Sequence, residues 1–171
     1  MTLTLVLGGA RSGKSRHAEA LVECRPAPWC SLATAQAFDD EMAGRIAAHR
    51  ARRGPGWETV DAPHHLAAAL RAVPPGRPVL VDCLTLWLTN RMLAGADLEM
   101  EAAVLTTALL AREGEVVLVS NEVGLSIVPE NALARRFRDA QGRLNQQVAA
   151  LADRVIFMVA GLPLAVKDDT R

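Results

Sequence analysis

The stretch Gly8-Gly9-Ala10-Arg11-Ser12-Gly13-Lys14-Ser15 constrains this chain more than any other. It fits the pattern G-x-x-x-x-G-K-[ST], and its surroundings fit as well. Ahead of it, Thr2-Leu3-Thr4-Leu5-Val6-Leu7 is apolar and partly β-branched, as a buried strand is. Behind it, Arg16 to Glu23 reads as a helix. Strand, glycine loop and helix in that order are what a phosphate-binding loop requires. The glycines let the backbone curl until its N–H groups converge on phosphate oxygens. The helix N-terminus adds partial positive charge. In such a loop Lys14 reaches the β- and γ-phosphates, and the Ser15 hydroxyl holds Mg²⁺.

Beyond the loop, apolar strands alternate with helices. Trp29 to Thr34, Trp57 to Asp61, Val79 to Asp82, Val116 to Ser120 and Val155 to Val159 read as strands. Asp39 to Arg53, Pro63 to Ala72, Leu84 to Leu93, Leu98 to Arg112 and Pro129 to Ala152 read as helices, with Asp97 a candidate N-cap. That alternation predicts an α/β fold of the P-loop NTPase (RecA-like) type, a mainly parallel sheet with helices on both faces. The 171 residues read as one domain, residues 1–171. Lys167 to Arg171 read as a frayed end.

Lys plus Arg equals Asp plus Glu, 19 each, so no global charge favours nucleic acid or an anionic membrane as partner. No apolar run approaches the roughly 20 residues of a membrane span. The three cysteines, Cys24, Cys30 and Cys83, show no metal-ligand spacing and read as reduced thiols of a cytoplasmic protein.

Asp82 ends an apolar strand far downstream of the loop, where a carboxylate would complete a triphosphate site by holding Mg²⁺. In the helix from Asp39, Arg45, His49 and Arg52 share one face, with Arg50 and Arg53 beside them. Neighbouring cations keep an imidazole neutral, which is its nucleophilic form. Arginines bind phosphate and offset charge developing on it. By periodicity alone, a solvated basic face is the plainer reading. His17 and the tryptophans Trp57 and Trp87 read as packing residues, and His64-His65 as surface. The polar segment Ser120 to Asn131 follows a strand and could line a ligand crevice.

The motifs together resemble the bifunctional adenosylcobinamide kinase/adenosylcobinamide-phosphate guanylyltransferases of cobalamin synthesis. The resemblance rests on Gly8 to Glu19, Ala33-Thr34-Ala35, Asp39-Asp40-Glu41-Met42 with Arg45-Ile46 and His49, Asn121-Glu122-Val123-Gly124 with Ile127-Val128-Pro129, and Phe137-Arg138-Asp139 with Gly142 and Asn145-Gln146. It implies two reactions. ATP or GTP phosphorylates the hydroxyl of adenosylcobinamide; GTP then guanylylates a histidine, His49 here, and GMP passes to the phosphorylated corrinoid. It further implies nucleotide contacts from Gly8, Gly9, Ala10, Arg11, Ser12, Gly13, Lys14 and Ser15, from Ala33, Thr34 and Ala35, from Arg50, Ala51, Arg52 and Arg53, and from Asp61 and Asp82. Asp82 stands where relatives carry Glu, one methylene longer. Relatives form homotrimers, so a homo-oligomer is implied too. The rival readings are a P-loop kinase or NTP hydrolase acting on another small molecule, and a nucleotide-switched binding module.

Overall fold

A computed structural model describes residues 2–37, 40, 44, 47, 51 and 53–169. The strands are β1 (Thr2–Gly8), β2 (Trp29–Ala33), β3 (Trp57–Asp61), β4 (Val79–Asp82), β5 (Glu115–Asn121), β6 (Arg154–Val159) and β7 (Leu162–Asp168). The helices are α1 (Lys14–Glu23), α2 (Leu66–Ala72), α3 (Leu84–Leu93), α4 (Leu98–Leu110) and α5 (Ala132–Leu151). Asp40, Gly44, Ala47 and Ala51 are also helical. Within the helix read over Asp39 to Arg53, residues 39, 41–43, 45, 46, 48–50 and 52 lie outside the described residues.

The sheet runs in the order β3-β2-β4-β5-β1-β6-β7. Every pairing is parallel except β6 with β7. Strands buried on both faces read as continuous apolar runs, and alternate residues divide between two cores. Leu3, Leu5, Val79, Val81, Val116 and Leu118 face one core, to which α2, α3, α4 and α5 contribute Leu66, Trp87, Leu105 and Leu144. Val6, Leu80, Val117 and Val119 face the other, covered by Ala18 and Val22 of α1. The layers expected from the alternation are present, and the sheet is covered on both faces.

Several boundaries differ from the sequence reading. Helix α1 starts at Lys14, so the lysine and serine of the loop occupy its first turn. Helix α5 starts at Ala132, where Asn131 caps it by accepting from the N–H groups of Leu133 and Ala134. Asp97 caps α4 in the same way. Of the stretch Lys167 to Arg171 read as frayed, Lys167 and Asp168 belong to a strand, and residues 170 and 171 lie outside the described residues. Val159 pairs with Leu162 across a two-residue turn, Ala160-Gly161, with φ of 51° and 82°. Two residues at positive φ are what a twist-matched hairpin needs. Strand β7 is then tied back by Lys167 Nζ, which donates to the Ala150 carbonyl at 3.3 Å, and by Asp169 N–H, which donates to Asp153 O at 2.8 Å. Among the described residues no helix is long and apolar enough to cross a membrane.

At the edge of the sheet opposite the carboxyl ends of β1, β2 and β4, one buried side chain holds the loop between α2 and β4. Arg112 donates from Nη1 to Val73 O at 2.7 Å, and from Nη2 to Pro74 O at 2.9 Å and Arg77 O at 2.8 Å. Its replacement leaves those carbonyls without their donors. Arg112→Ala should lower the unfolding free energy by about 3 kcal/mol, read as a lower urea midpoint at unchanged slope.

Candidate active site

Because β1, β2, β4 and β5 are parallel, their carboxyl ends share one edge, the edge at which open α/β sheets bind ligands. Register sets Gly8 beside Asn121, and Ala33 beside both Asp61 and Asp82. The glycine loop leaves this edge from β1. At Gly8 φ is 153°, and a Cβ would stand 2.7 Å from Ser12 Oγ and 2.8 Å from the Met158 carbonyl oxygen, so no side chain fits. Gly13 caps α1 in the left-handed region, at φ 92°. Lys14 Nζ donates to the Gly9 carbonyl at 2.5 Å and holds the curl closed. An ammonium carries three N–H donors, so this bond leaves capacity for phosphate. Ser12 Oγ is buried and has no hydrogen-bond partner among the described residues.

Asp82 is the point where three elements meet. Ser15 Oγ donates to its Oδ1 at 3.4 Å, and Arg53 Nη2 donates to its Oδ2 at 3.4 Å. Arg53 also reaches Glu19 Oε1 of α1 through Nε at 3.3 Å. The guanidinium lies over the ring of Trp57, 5.5 Å from its centroid, as cation–π attraction favours. Trp57 in turn packs on Trp29 and donates from Nε1 to Glu23 Oε1 at 2.8 Å. Trp57, partly buried and packed against the core as read from the sequence, is also a platform for Arg53; Trp87 is fully core. Burial lowers the Lys14 pKa from its ordinary value, while Cys83 and Asp82 oppose that shift. The Cys83 thiol is pushed up to about 11 by burial and by Asp82, which keeps it protonated at neutral pH. A hydroxyl and a carboxylate facing each other are hard oxygen donors of the kind Mg²⁺ takes, so Ser15 and Asp82 fit that ion.

Thr34 is fully buried, and each of its polar groups is spent inside the protein. Its Oγ1 donates to Cys83 O at 2.6 Å and accepts from Cys83 N–H at 2.8 Å. Its N–H donates to Asp82 O at 3.1 Å, and its carbonyl accepts from Asn90 Nδ2 at 2.8 Å. Thr34 thus grips the peptide that follows Asp82. A second buried network holds the end of β5. Ser120 Oγ donates to Asn145 Oδ1 at 2.7 Å, Gln141 Nε2 donates to Ser120 Oγ at 2.9 Å, and Asn145 Nδ2 donates to Asn121 O at 3.1 Å. The N–H of Asn121 donates to Thr85 Oγ1 at 2.8 Å. The Asn that α5 carries at a cost in helix propensity is explained by this contact.

Of the residues singled out in the sequence, the structure brings Gly8 to Ser15, Asp82 and Arg53 together. Ala33 and Asp61 end neighbouring strands at the same edge, and Ala35 lies half-buried just beyond. Ala51 is helical and exposed. His49, Arg50 and Arg52 lie outside the described residues. His64 differs from the surface reading: its Nε2 is 3.3 Å from Gln36 Nε2, and its Nδ1 is buried without a partner among the described residues. His17 packs as expected, and burial, then Arg154, lowers its pKa. Thr85, Asn90 and Gln141 were not singled out, and Glu19 entered only as the end of a motif; their position on the buried face of a helix, polar among apolar, marks them in sequence.

The grip of Thr34 makes a test. Thr34→Val keeps the volume and removes the hydroxyl, leaving a buried N–H and C=O of Cys83 unpaired. It should lower the unfolding free energy by about 2 kcal/mol and weaken triphosphate binding, while Thr34→Ser restores both. Calorimetric melting and nucleotide titration on the three proteins read the outcome.

Comparison with solved structures finds the same fold far from any sequence likeness. The flagellar accessory protein FlaH of Methanocaldococcus jannaschii superposes with a TM-score of 0.52 at 11% identity, covering 98% of this chain and 79% of that one. A prototypical ATPase from the type III secretion system of pathogenic bacteria gives 0.53 at 12%, covering 96% and 56%. Sequence comparison is sharper. The bifunctional adenosylcobalamin biosynthesis protein CobP of Pseudomonas aeruginosa is 49% identical over 168 residues, covering 96% of this chain and 97% of that protein. The CobU proteins of Salmonella typhimurium and Escherichia coli are 42% and 44% identical over 181 residues, covering 96% of this chain and 99% of each. Residues 4–166 match the family model described as cobinamide kinase / cobinamide phosphate guanyltransferase. With that match spanning the glycine loop, Asp82 and the whole sheet, the chain belongs to the cobinamide kinase / cobinamide phosphate guanyltransferase family.

Proposed function

We propose that this site carries out two displacements on bound nucleoside triphosphate in cobalamin synthesis. The observation that carries the reading is the meeting of Lys14, Ser15, Asp82 and Arg53 at one sheet edge, in a chain of this family. In the first reaction the alcohol oxygen of adenosylcobinamide attacks the γ-phosphorus of ATP or GTP. The new O–P bond forms as the bond to the β,γ-bridging oxygen breaks, the nucleoside diphosphate leaves and the alcohol proton passes to solvent. In the second, a ring nitrogen of His49 attacks the α-phosphorus of GTP and pyrophosphate leaves. A phosphate oxygen of the phosphorylated corrinoid then attacks that phosphorus, the N–P bond breaks, and adenosylcobinamide-GDP results. Splitting one displacement in two keeps the phosphoryl bond energy while the substrates exchange.

The chain's own groups divide this work. Backbone N–H groups of Gly9 to Ser15 and the start of α1 hold the β-phosphate by geometry and charge. Lys14 neutralises charge on whichever oxygen leaves, and phosphate binding restores the proton affinity that burial takes from it. Mg²⁺, held by Ser15 and Asp82, would supply further neutralisation of the phosphates. Arg53 stands four residues beyond His49 in the chain and joins Asp82 to Glu19. It anchors the end of the histidine segment at the phosphate loop. Arg50, Ala51 and Arg52 precede it, and Ala33, Ala35 and Asp61 border the nucleoside side. A cytoplasmic homo-oligomer, a trimer as in relatives, belongs to the same proposal; the exposed Leu162, Leu164 and Val166 of β7 support the oligomer.

GTP labelled on its α-phosphate tests the covalent step without any corrinoid. Wild type should retain an acid-labile, base-stable label, and His49→Ala should retain none. Lys14→Ala should slow labelling by about 100-fold or more, as loss of a phosphate-stabilising cation does. Equal label on wild type and His49→Ala would overturn the guanylylation and leave a kinase of another kind.

A further inference from the structure

In the sheet β5 lies between β1, which carries the glycine loop, and β4, which carries Asp82. The segment leaving β5 is therefore set beside Lys14, Ser15 and Asp82 by topology. It is joined to the loop directly: Glu122 N–H donates to Gly8 O at 3.1 Å.

This segment exposes apolar surface where a polar turn would be ordinary. Leu125 is 81% exposed, Ile127 93% and Val128 60%, and Leu133 at the start of α5 is 52% exposed. Four large apolar side chains are exposed within nine residues, a concentration of the sort that marks a binding surface. The segment is also held in shape by its own hydrogen bonds. Gly124 N–H donates to Glu122 Oε1 at 2.6 Å, Ser126 Oγ donates to Val123 O at 3.2 Å, and Arg135 Nη1 donates to Pro129 O at 2.9 Å. Ordering the backbone before a ligand arrives lowers the cost of binding. Glu122, Ser126 and Glu130 intersperse polar groups along the same segment.

We infer that Leu125, Ile127, Val128 and Leu133 form the docking surface for the corrin macrocycle of the acceptor, and that Glu122 and its neighbours meet the macrocycle's peripheral amides. This rests on the proposed function and names the subsite it lacks. The occupant must be wide and largely hydrocarbon, must carry hydrogen-bonding groups at its rim, and must send a single hydroxyl arm toward the γ-phosphate. A corrinoid has that form. The patch is continuous with the phosphate loop through Glu122, whereas the other exposed apolar strand, β7, lies at the sheet's edge with β6 between it and β1.

The test uses cobinamide itself, in equilibrium dialysis and as the varied substrate of the kinase reaction. The proteins are wild type, a Leu125→Ser/Ile127→Ser double variant, and, as control, Leu110→Ser at the exposed end of α4. Both patch side chains are exposed, so their replacement leaves folding intact. The expected result is a loss of cobinamide affinity and a rise in its KM of about tenfold or more in the double variant, with nucleotide affinity unchanged and the control like wild type. Equal cobinamide binding by wild type and double variant overturns the inference alone. A lower sedimentation mass for the double variant also overturns it, since a second copy of the chain would then cover the patch. A wild type that binds no cobinamide overturns the inference together with the function on which it rests.

Discussion

The carboxylate of Asp82 stands at the end of a buried strand and must find polar partners there, and the site is built around that requirement. Its neighbours on both sides are buried strands, so its partners come from beyond the sheet: a hydroxyl from the first turn of α1 and a guanidinium from the segment that leads into β3. Each partner is held by something else. Ser15 is fixed by the glycine turn before it, and Arg53 by Glu19 and the Trp57 ring. Thr34 fixes the peptide on the other side of the carboxylate. Few polar atoms at this edge are idle, and the bonds cross from β2 to β4 and from α1 to Arg53. A change in any one of these elements is felt at the phosphate loop.

Most of the fold was legible because its signals are local. An apolar run of four to seven residues between turn residues says strand wherever it falls, and the cap Asp97 marks a helix start by its own chemistry, whereas Pro129 obscures Asn131 as the cap of α5. Strand order was not legible, because it depends on which buried faces fit one another across long stretches of chain. Strand β7 escaped notice for a different reason. Pro163 and Lys167 dilute its pattern, and Ala160-Gly161 is a weaker turn signal than Asn-Gly.

The candidate site divides along the same line. The glycine loop is contiguous, so its role could be read from eight residues. Asp82 is a lone carboxylate and became informative only with the loop present. Arg53 was visible as one arginine of a cluster, but its attachment to Glu19, Asp82 and Trp57 is a matter of three-dimensional placement. Thr34 looked like a tip residue facing ligand; its polar groups turn inward instead, toward Cys83, Asp82 and Asn90. Gln141 and Asn145 sit on the buried face of α5, where sequence alone gives no partner for their amides.

The pairing of the first strand has a consequence for the order of events during synthesis. Strand β1 precedes the other six strands in sequence, yet its neighbours are β5 and β6, and Asp153 closes its start by accepting from Leu3 N–H at 2.7 Å. The turn at Gly8 is bounded by the carbonyl of Met158. A nascent chain therefore carries the whole glycine motif long before it can fold the motif into a nest for phosphate. Contacts so distant in sequence form late and slowly. The glycine turn thus gains its full wall only once β6 has joined the sheet beside β1.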